Sequence, residues 1–394
     1  MTPRSPAPPC TLWHGQGITR RMIARLTAGR DALVIADSAL AVAGLSAPST
    51  RRIEVDARSM DVDAVILVAE ELARRRPEVV VAIGGGSTLD AAKLAALTLA
   101  PGHVFDFALE RSSRSALTVL PDSRPAVDVV AVPTTVGTSS ETNSVGIIRN
   151  DSGSRLIIGA ALRPRHAVID PCNLMTLASA AVREGALEAF LRLAGASTSA
   201  RQSARGRRDA VAVGRALLTA ATRDPESLES RLRIARLSAA TQRSAALRGT
   251  DPYSARHWYL ANDVAFALQV RKMVATASIV ATVWHRICSG DRRWGDRACL
   301  EGFWGIMARE AELPLDPPAG IAALIRRWGV PLAPRPSTHA MGVIAAATER
   351  SWGGRLPMLA GLVAADLLDV LRDSLWSLSP SAVSADVPEI EQRR

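Results

Sequence analysis

The chain has 394 residues, of which 48% are hydrophobic and 22% charged, with a formal net charge of +10. That length exceeds what one core usually fills and implies two domains, while no apolar run of about 18 residues exists to cross a membrane. Basic residues are spread in short clusters such as Arg74-Arg75-Arg76 and Arg205 to Arg208, and aromatics make up 4%, so the charge by itself implies no nucleic-acid partner.

Residues 1–10 are Pro-rich without an apolar core and read as a disordered lead-in, not a signal peptide. Four scattered cysteines, Cys10, Cys172, Cys288 and Cys299, form no CxxC pair and fit a reducing cytoplasm. Of the 48 basic residues two are lysines, Lys93 and Lys272. In a chain that otherwise uses arginine, these mark candidate sites where a compact ammonium does what a planar guanidinium cannot.

Along the chain, Ala32–Ala36 is an apolar strand ending in Asp37, and Ile53–Val55 is a second. Val62–Arg76 has helical spacing of apolar residues. Val79–Ile83 is a continuous apolar run of the kind found in buried parallel strands. It leads into Gly84-Gly85-Gly86-Ser87-Thr88-Leu89-Asp90 and a helical segment, Ala91–Leu99. Val127–Val132 gives another buried strand, followed by Pro133 to Glu141. Alternating strands and helices predict a mostly parallel sheet. Both loops suit phosphate binding: consecutive glycines let backbone N–H groups approach an anion, and the following helix points its positive end there. Gly85, Gly86, Ser87, Thr134, Thr135 and Thr138 are the expected contacts, and Asp37 is placed to accept from a ribose 2′-hydroxyl, which favours NAD while leaving NADP open.

From Met175 onward the strand pattern stops. Thr198–Arg208 reads as an exposed Ser/Arg-rich loop, Arg207–Thr222, Ser227–Leu247 and Gly320–Trp328 as helices, and the residues after Ser379 as a disordered tail.

GGGSTLDAAK (Gly84–Lys93) and PTTVGTSSE (Pro133–Glu141) resemble the GGGSxxDxAK and PTTxGTxSE signatures of iron-containing alcohol dehydrogenases. The run from His14 to Gly17, Val168 to Pro171 and Trp328 to Pro331 resemble further segments of that family, so the likeness spans most of the chain. It implies an α/β plus all-α fold: an N-terminal Rossmann-like parallel-sheet domain over residues 11–178, then a helical substrate domain over 179–378, with the active site in the cleft between. It also implies that Asp90 and Lys93 serve the cofactor loop, that Arg155 stands where relatives often carry a cofactor-contacting lysine, and that the protein is a homodimer.

Members of that family hold a divalent metal with one Asp and three His, the Asp and first His four residues apart on one helix. The positions matched here are Gly185 and Ala189, neither able to bind a metal; a slip of one residue offers Glu184 and Glu188 instead, and that alternative stays open. The later ligand positions fall on Trp258 and Lys272, with Asn262 where relatives have a histidine near the substrate. His257 and His285 lack a matched carboxylate. The expectation is therefore a site without a metal, in which Lys272 donates to the developing oxyanion, and Asn262, His257 and Tyr259 are secondary contacts to substrate.

The resulting functional expectation is NAD(P)-dependent interconversion of an alcohol and a carbonyl, on a small-molecule or peptide-terminal substrate. A tailoring role in natural-product biosynthesis of the daptide type is one form of it. A maleylacetate reductase-like enzyme and a non-catalytic nucleotide-binding pseudoenzyme are the alternatives, with dehydroquinate synthase-like chemistry behind them.

Overall fold

The computed structural model describes residues 10–40, 51–58 and 60–377. The expectations for residues 1–9 and for the tail lie outside the described residues, and Cys10, assigned to the lead-in, is buried. By contacts the chain divides into two compact units, Met1–Pro252 and Tyr253–Arg394.

In the first unit the sequence runs through β1 (Thr11–His14), α1 (Thr19–Thr27), β2 (Ala32–Asp37), β3 (Arg51–Val55), α2 (Val62–Arg75), β4 (Val79–Gly84), α3 (Gly86–Ala95), α4 (Val104–Arg114), β5 (Leu117–Val119), β6 (Asp128–Pro133), β7 (Val145–Asn150), β8 (Gly153–Ile158) and β9 (His166–Ile169). Six strands form one sheet in the order β1-β9-β6-β4-β2-β3, with every pairing parallel. Side chains of successive strand residues enter opposite faces. Val80, Ala82, Val129 and Ala131 therefore join a core with α2 and α3, while Val79, Val81, Val130 and Val132 join another with Met22 and Ile23 of α1. With both faces covered, β4 is buried along its whole length, which explains the unbroken apolar run. Helix α2 begins where Asp61 accepts from the Ala64 N–H at 3.0 Å.

The sequence reading missed a second sheet of three strands, β5-β8-β7. Its β7–β8 hairpin closes between Asn150 and Gly153, and Gly153 takes φ +130, a region glycine enters without a Cβ penalty.

Three helices complete this unit, α5 (Ser179–Ala196), α6 (Ala204–Arg223) and α7 (Leu228–Arg243). The exposed loop expected over Thr198–Arg208 is corrected in part: Thr198, Ser199 and Gln202 are buried and α6 already begins at Ala204, while Arg201, Ser203, Arg205, Arg207 and Arg208 are exposed. The serines and the glutamine serve the backbone. Ser203 Oγ accepts from Gly206 N–H at 3.0 Å, Ser199 Oγ accepts from Asp251 N–H at 3.1 Å, and Gln202 donates to the Ala246 carbonyl at 3.2 Å.

The second unit is helical, with α8 (His257–Leu268), α9 (Lys272–Cys288), α10 (Arg297–Ala311), α11 (Pro317–Arg327), α12 (Thr338–Trp352) and α13 (Ala364–Asp373). Its core is built on tryptophans. Trp284 and Trp304 meet edge to face at 5.4 Å, Trp304 donates to the Pro314 carbonyl at 2.9 Å, and Trp352 donates to Asp263 at 3.1 Å, so each buried indole N–H that is named here has an acceptor.

Candidate active site

The strand ends bring the two glycine- and threonine-rich loops together. A Cβ at Gly85 would stand 3.3 Å from Thr135 Cγ2, and one at Gly86 would stand 2.8 Å from Thr138 Cγ2; the close fit admits no larger residue at Gly86. Thr134 is buried, Thr135 and Thr138 are half-buried, and Ser87 is exposed. Among the described residues no acceptor pairs with the backbone N–H groups from Thr135 to Ser139, or with those of Gly86 and Ser87 at the start of α3. Unpaired backbone donors on two adjoining loops, one at a helix N-terminus, form a cradle for an anion. Asp37 ends β2 one residue beyond the Ala36–Ile83 pair, beside the end of β4. One of its oxygens accepts from Ala39 N–H at 3.0 Å.

Asp90 and Lys93 stand beneath this surface and not on it. Lys93 is 1% exposed. Its ammonium donates to Ser140 Oγ (2.7 Å), the Ser140 carbonyl (3.1 Å), Asn143 Oδ1 (3.0 Å) and the Val145 carbonyl, and pairs with Asp90 at 2.8 Å. Asp90 also accepts from the Ser140 hydroxyl and from Ile147 N–H at 3.1 Å. This is a use for which a compact ammonium is suited: several acceptors converge on one buried nitrogen. Arg155 is buried in β8, in register with Ile148 of the small sheet, and is not part of the two loops.

The residue that the sequence reading missed is Arg192 on α5, and Glu188, read there only as half of an alternative carboxylate pair, stands beside it. Arg192 Nη2 donates to the carbonyls of Gly137 (2.7 Å) and Thr138 (3.1 Å), and Nη1 to Ser139 Oγ (3.1 Å) and Thr241 Oγ1 (2.8 Å). Glu188, one turn back, pairs with it at 4.0 Å. The neighbouring Glu141 carboxyl is pushed up to about 7, first by burial and further by Glu188, against the pull of Arg192 and Lys93. Gly185 lies flat against the loop: a Cβ there would be 2.4 Å from the Val136 carbonyl oxygen, and one on Gly137 would be 2.7 Å from Gly185 Cα. Ala189 is fully buried. The side chains four apart that reach the threonine loop are thus those of Glu188 and Arg192, while Gly185 meets it through its backbone.

In the second unit Trp258 and Asn262 are four apart on α8, hence on one face, and Lys272 opens α9. Its ammonium sits 4.9 Å from the centroid of the Trp258 ring, within the range of a cation–π contact. The positions singled out separately in the sequence are therefore neighbours. His257 is 2% exposed, and its Nε2 has no hydrogen-bond partner among the described residues. Burial, with Lys272 adding to it, lowers its pKa to about 3, so it is a neutral imidazole at ordinary pH. Tyr259 packs on Trp352 at 5.1 Å, and His285 faces Ser289 at 3.4 Å. Among the described residues no three His, Cys, Asp or Glu side chains gather as a metal site.

The family model for iron-containing alcohol dehydrogenase matches residues 9–171. A phosphonoacetaldehyde reductase of Streptomyces viridochromogenes is 36% identical over 194 residues, covering 48% of this chain and 49% of the relative. A probable alcohol dehydrogenase, EutG, of Salmonella typhimurium is 33% identical over 177 residues, covering 40% and 42%. The chain spans about half the length of the curated relatives it matches or less. The crystal structure of an NADH-dependent butanol dehydrogenase of Thermotoga maritima shares the fold, with a TM-score of 0.74 at 16% identity over 92% of this chain and 96% of that one. Over residues 9–171 the chain is therefore similar to the iron-containing alcohol dehydrogenase family.

Proposed function

We propose that the protein is an NAD-dependent oxidoreductase that interconverts an aldehyde or ketone and its alcohol without a protein-bound metal. The observation that carries this reading is the run of unpaired backbone N–H groups on the two adjoining loops. A dinucleotide pyrophosphate supplies the anionic oxygens that such a cradle takes, and Ser87, Thr135 and Thr138 add hydroxyl donors. Asp37 receives a ribose hydroxyl and disfavours a 2′-phosphate by charge, which selects NAD over NADP. The nicotinamide supplies or accepts the hydride.

The remaining chemistry falls to the chain's own side chains. Lys272 donates to the carbonyl oxygen as negative charge develops there and delivers the proton that completes the alcohol. Trp258 holds the ammonium by its ring face. His257 is too weak a base in its buried place to carry charge, so its part is to accept or donate one hydrogen bond as a neutral ring, and Asn262 offers a further polar contact to substrate. The substrate is a small carbonyl compound, in keeping with the aldehyde named for the Streptomyces relative. Homodimer assembly and a natural-product tailoring role belong to the same proposal, the first by family resemblance and the second by composition.

The test is NADH binding by fluorescence, together with aldehyde-dependent NADH oxidation by wild type and Lys272→Ala. The expected outcome is unchanged NADH affinity and a loss of roughly 10²–10³ in kcat, the usual cost of removing one oxyanion donor. Full activity in Lys272→Ala would remove the lysine from the mechanism, and NADH binding without turnover of any carbonyl would favour the pseudoenzyme.

A further inference from the structure

We infer that Arg192 is a positioning residue for cofactor binding: it turns the threonine loop's amides toward the anion from behind, without touching the ligand. The inference rests on the cofactor reading above and adds a residue to it. Peptide units are planar and trans, and no cis bond occurs among the described residues, so each N–H points opposite to the carbonyl of its own unit. By drawing the carbonyls of Gly137 and Thr138 to one side, the guanidinium fixes the N–H groups of Thr138 and Ser139 on the other. Those two amides are among the unpaired donors of the cradle.

The anchoring is two-sided. Nη1 ties Ser139 Oγ to Thr241 of α7, and Ser139 Oγ also bonds the Ser238 carbonyl at 2.9 Å. Ser139 is held at φ +54, a left-handed conformation that a serine adopts only when its surroundings impose it. A planar fork is needed for this task, because it must reach two consecutive carbonyls and two hydroxyls from one centre; an ammonium keeps the charge but not the fork. The contrast gives the test its resolution.

The experiment compares full-length wild type, Arg192→Lys and Arg192→Met for NADH affinity by fluorescence, and for displacement of NADH by ADP and by adenosine. Both variants are expected to bind NADH and ADP about tenfold more weakly, the equivalent of one lost hydrogen bond to a charged group, with adenosine unaffected. Lysine should not rescue, since charge without the fork leaves the amides unset. Wild-type affinity for ADP in either variant overturns the inference. An equal loss for adenosine, or loss of the fold in both variants by circular dichroism, does the same by making Arg192 a general scaffold residue. If wild type itself binds neither NADH nor ADP, the cofactor reading fails, and this inference with it.

Discussion

The two strand-end loops of the first unit and the α8–α9 pair of the second use polar residues in opposite ways. In the loops, the unpaired groups are mostly backbone amides, and charged side chains brace the main chain, Lys93 with Asp90 and Arg192 with Glu188. On α8 and α9 the candidate chemistry is carried by side chains: Lys272 against Trp258, with a neutral His257 nearby. A backbone site depends on glycines and on a braced main chain, so few sequences can build it. A side-chain site can exchange its groups one at a time on a fixed helix, and that freedom is what lets a family's fold persist around changed chemistry.

The sharpest way to break this contrast is to write a carboxylate into α5 at Gly185. Gly185→Asp puts a Cβ 2.4 Å from the Val136 carbonyl oxygen, in backbone that cannot move aside without moving the loop. Overpacking of this kind costs about 1–3 kcal/mol, and a buried carboxylate without a partner adds several more, so a total of about 4–6 kcal/mol is expected. Gly185→Ala separates the two contributions and should lose about 1–3 kcal/mol. Denaturant melts measure both. A stable Gly185→Asp that takes up one zinc or iron per chain would show that the face of α5 is open to a metal after all.

A somewhat smaller effect is expected at Lys93. Lys93→Met keeps the length of the stem and removes the charge, leaving Asp90 buried beside Ser140 without its cation. Breaking a buried pair from one side costs about 3–5 kcal/mol. In Lys93→Met/Asp90→Asn both charges are gone, and part of that loss should return. Equal stability of the single and the double variant would mean that the pair is not coupled.

How much of this was legible in the sequence follows from the same contrast. Gly84 to Gly86 and the Thr134–Thr138 run could be read because glycine after an apolar strand has few other uses, and the alternating α/β order gave the parallel sheet. The scarcity of lysine drew attention to Lys93 and Lys272, though the first proved to be an internal brace. Arg192 could not be read in this way: arginine is abundant here, and nothing local sets apart the one whose partners in the threonine loop lie more than 50 residues away. Glu188 was noticed only through a helix spacing, as half of an alternative carboxylate pair, because the loop it faces comes from distant sequence. The β7–β8 hairpin was missed because its exposed and buried residues alternate over six positions between polar turns, a weaker signal than the continuous apolar runs beside it. The buried turn before α6 was misread because serine and glutamine look like solvent-facing residues unless their backbone partners are known.

The finest test of the braced loop is its pH dependence. Glu141 titrates at about 7 in the folded chain against an ordinary value of 4.5, so the folded state binds its proton more tightly than the unfolded state does. Its contribution to stability, about 3 kcal/mol, is whole below pH 4.5 and is lost as pH rises through 7. Glu141→Gln keeps the shape and does not ionise. Its stability relative to wild type should therefore climb between pH 5 and pH 8. His257 works in the other direction, since a pKa lowered to about 3 removes stability as pH falls below 6.5, but it is present in both chains and cancels from the difference. Thermal melts of the two proteins across that range decide the matter: a difference that stays flat with pH would mean that Glu141 is ionised throughout, held so by Arg192 and Lys93, and that the loop is braced by a charge network and not by a neutral acid.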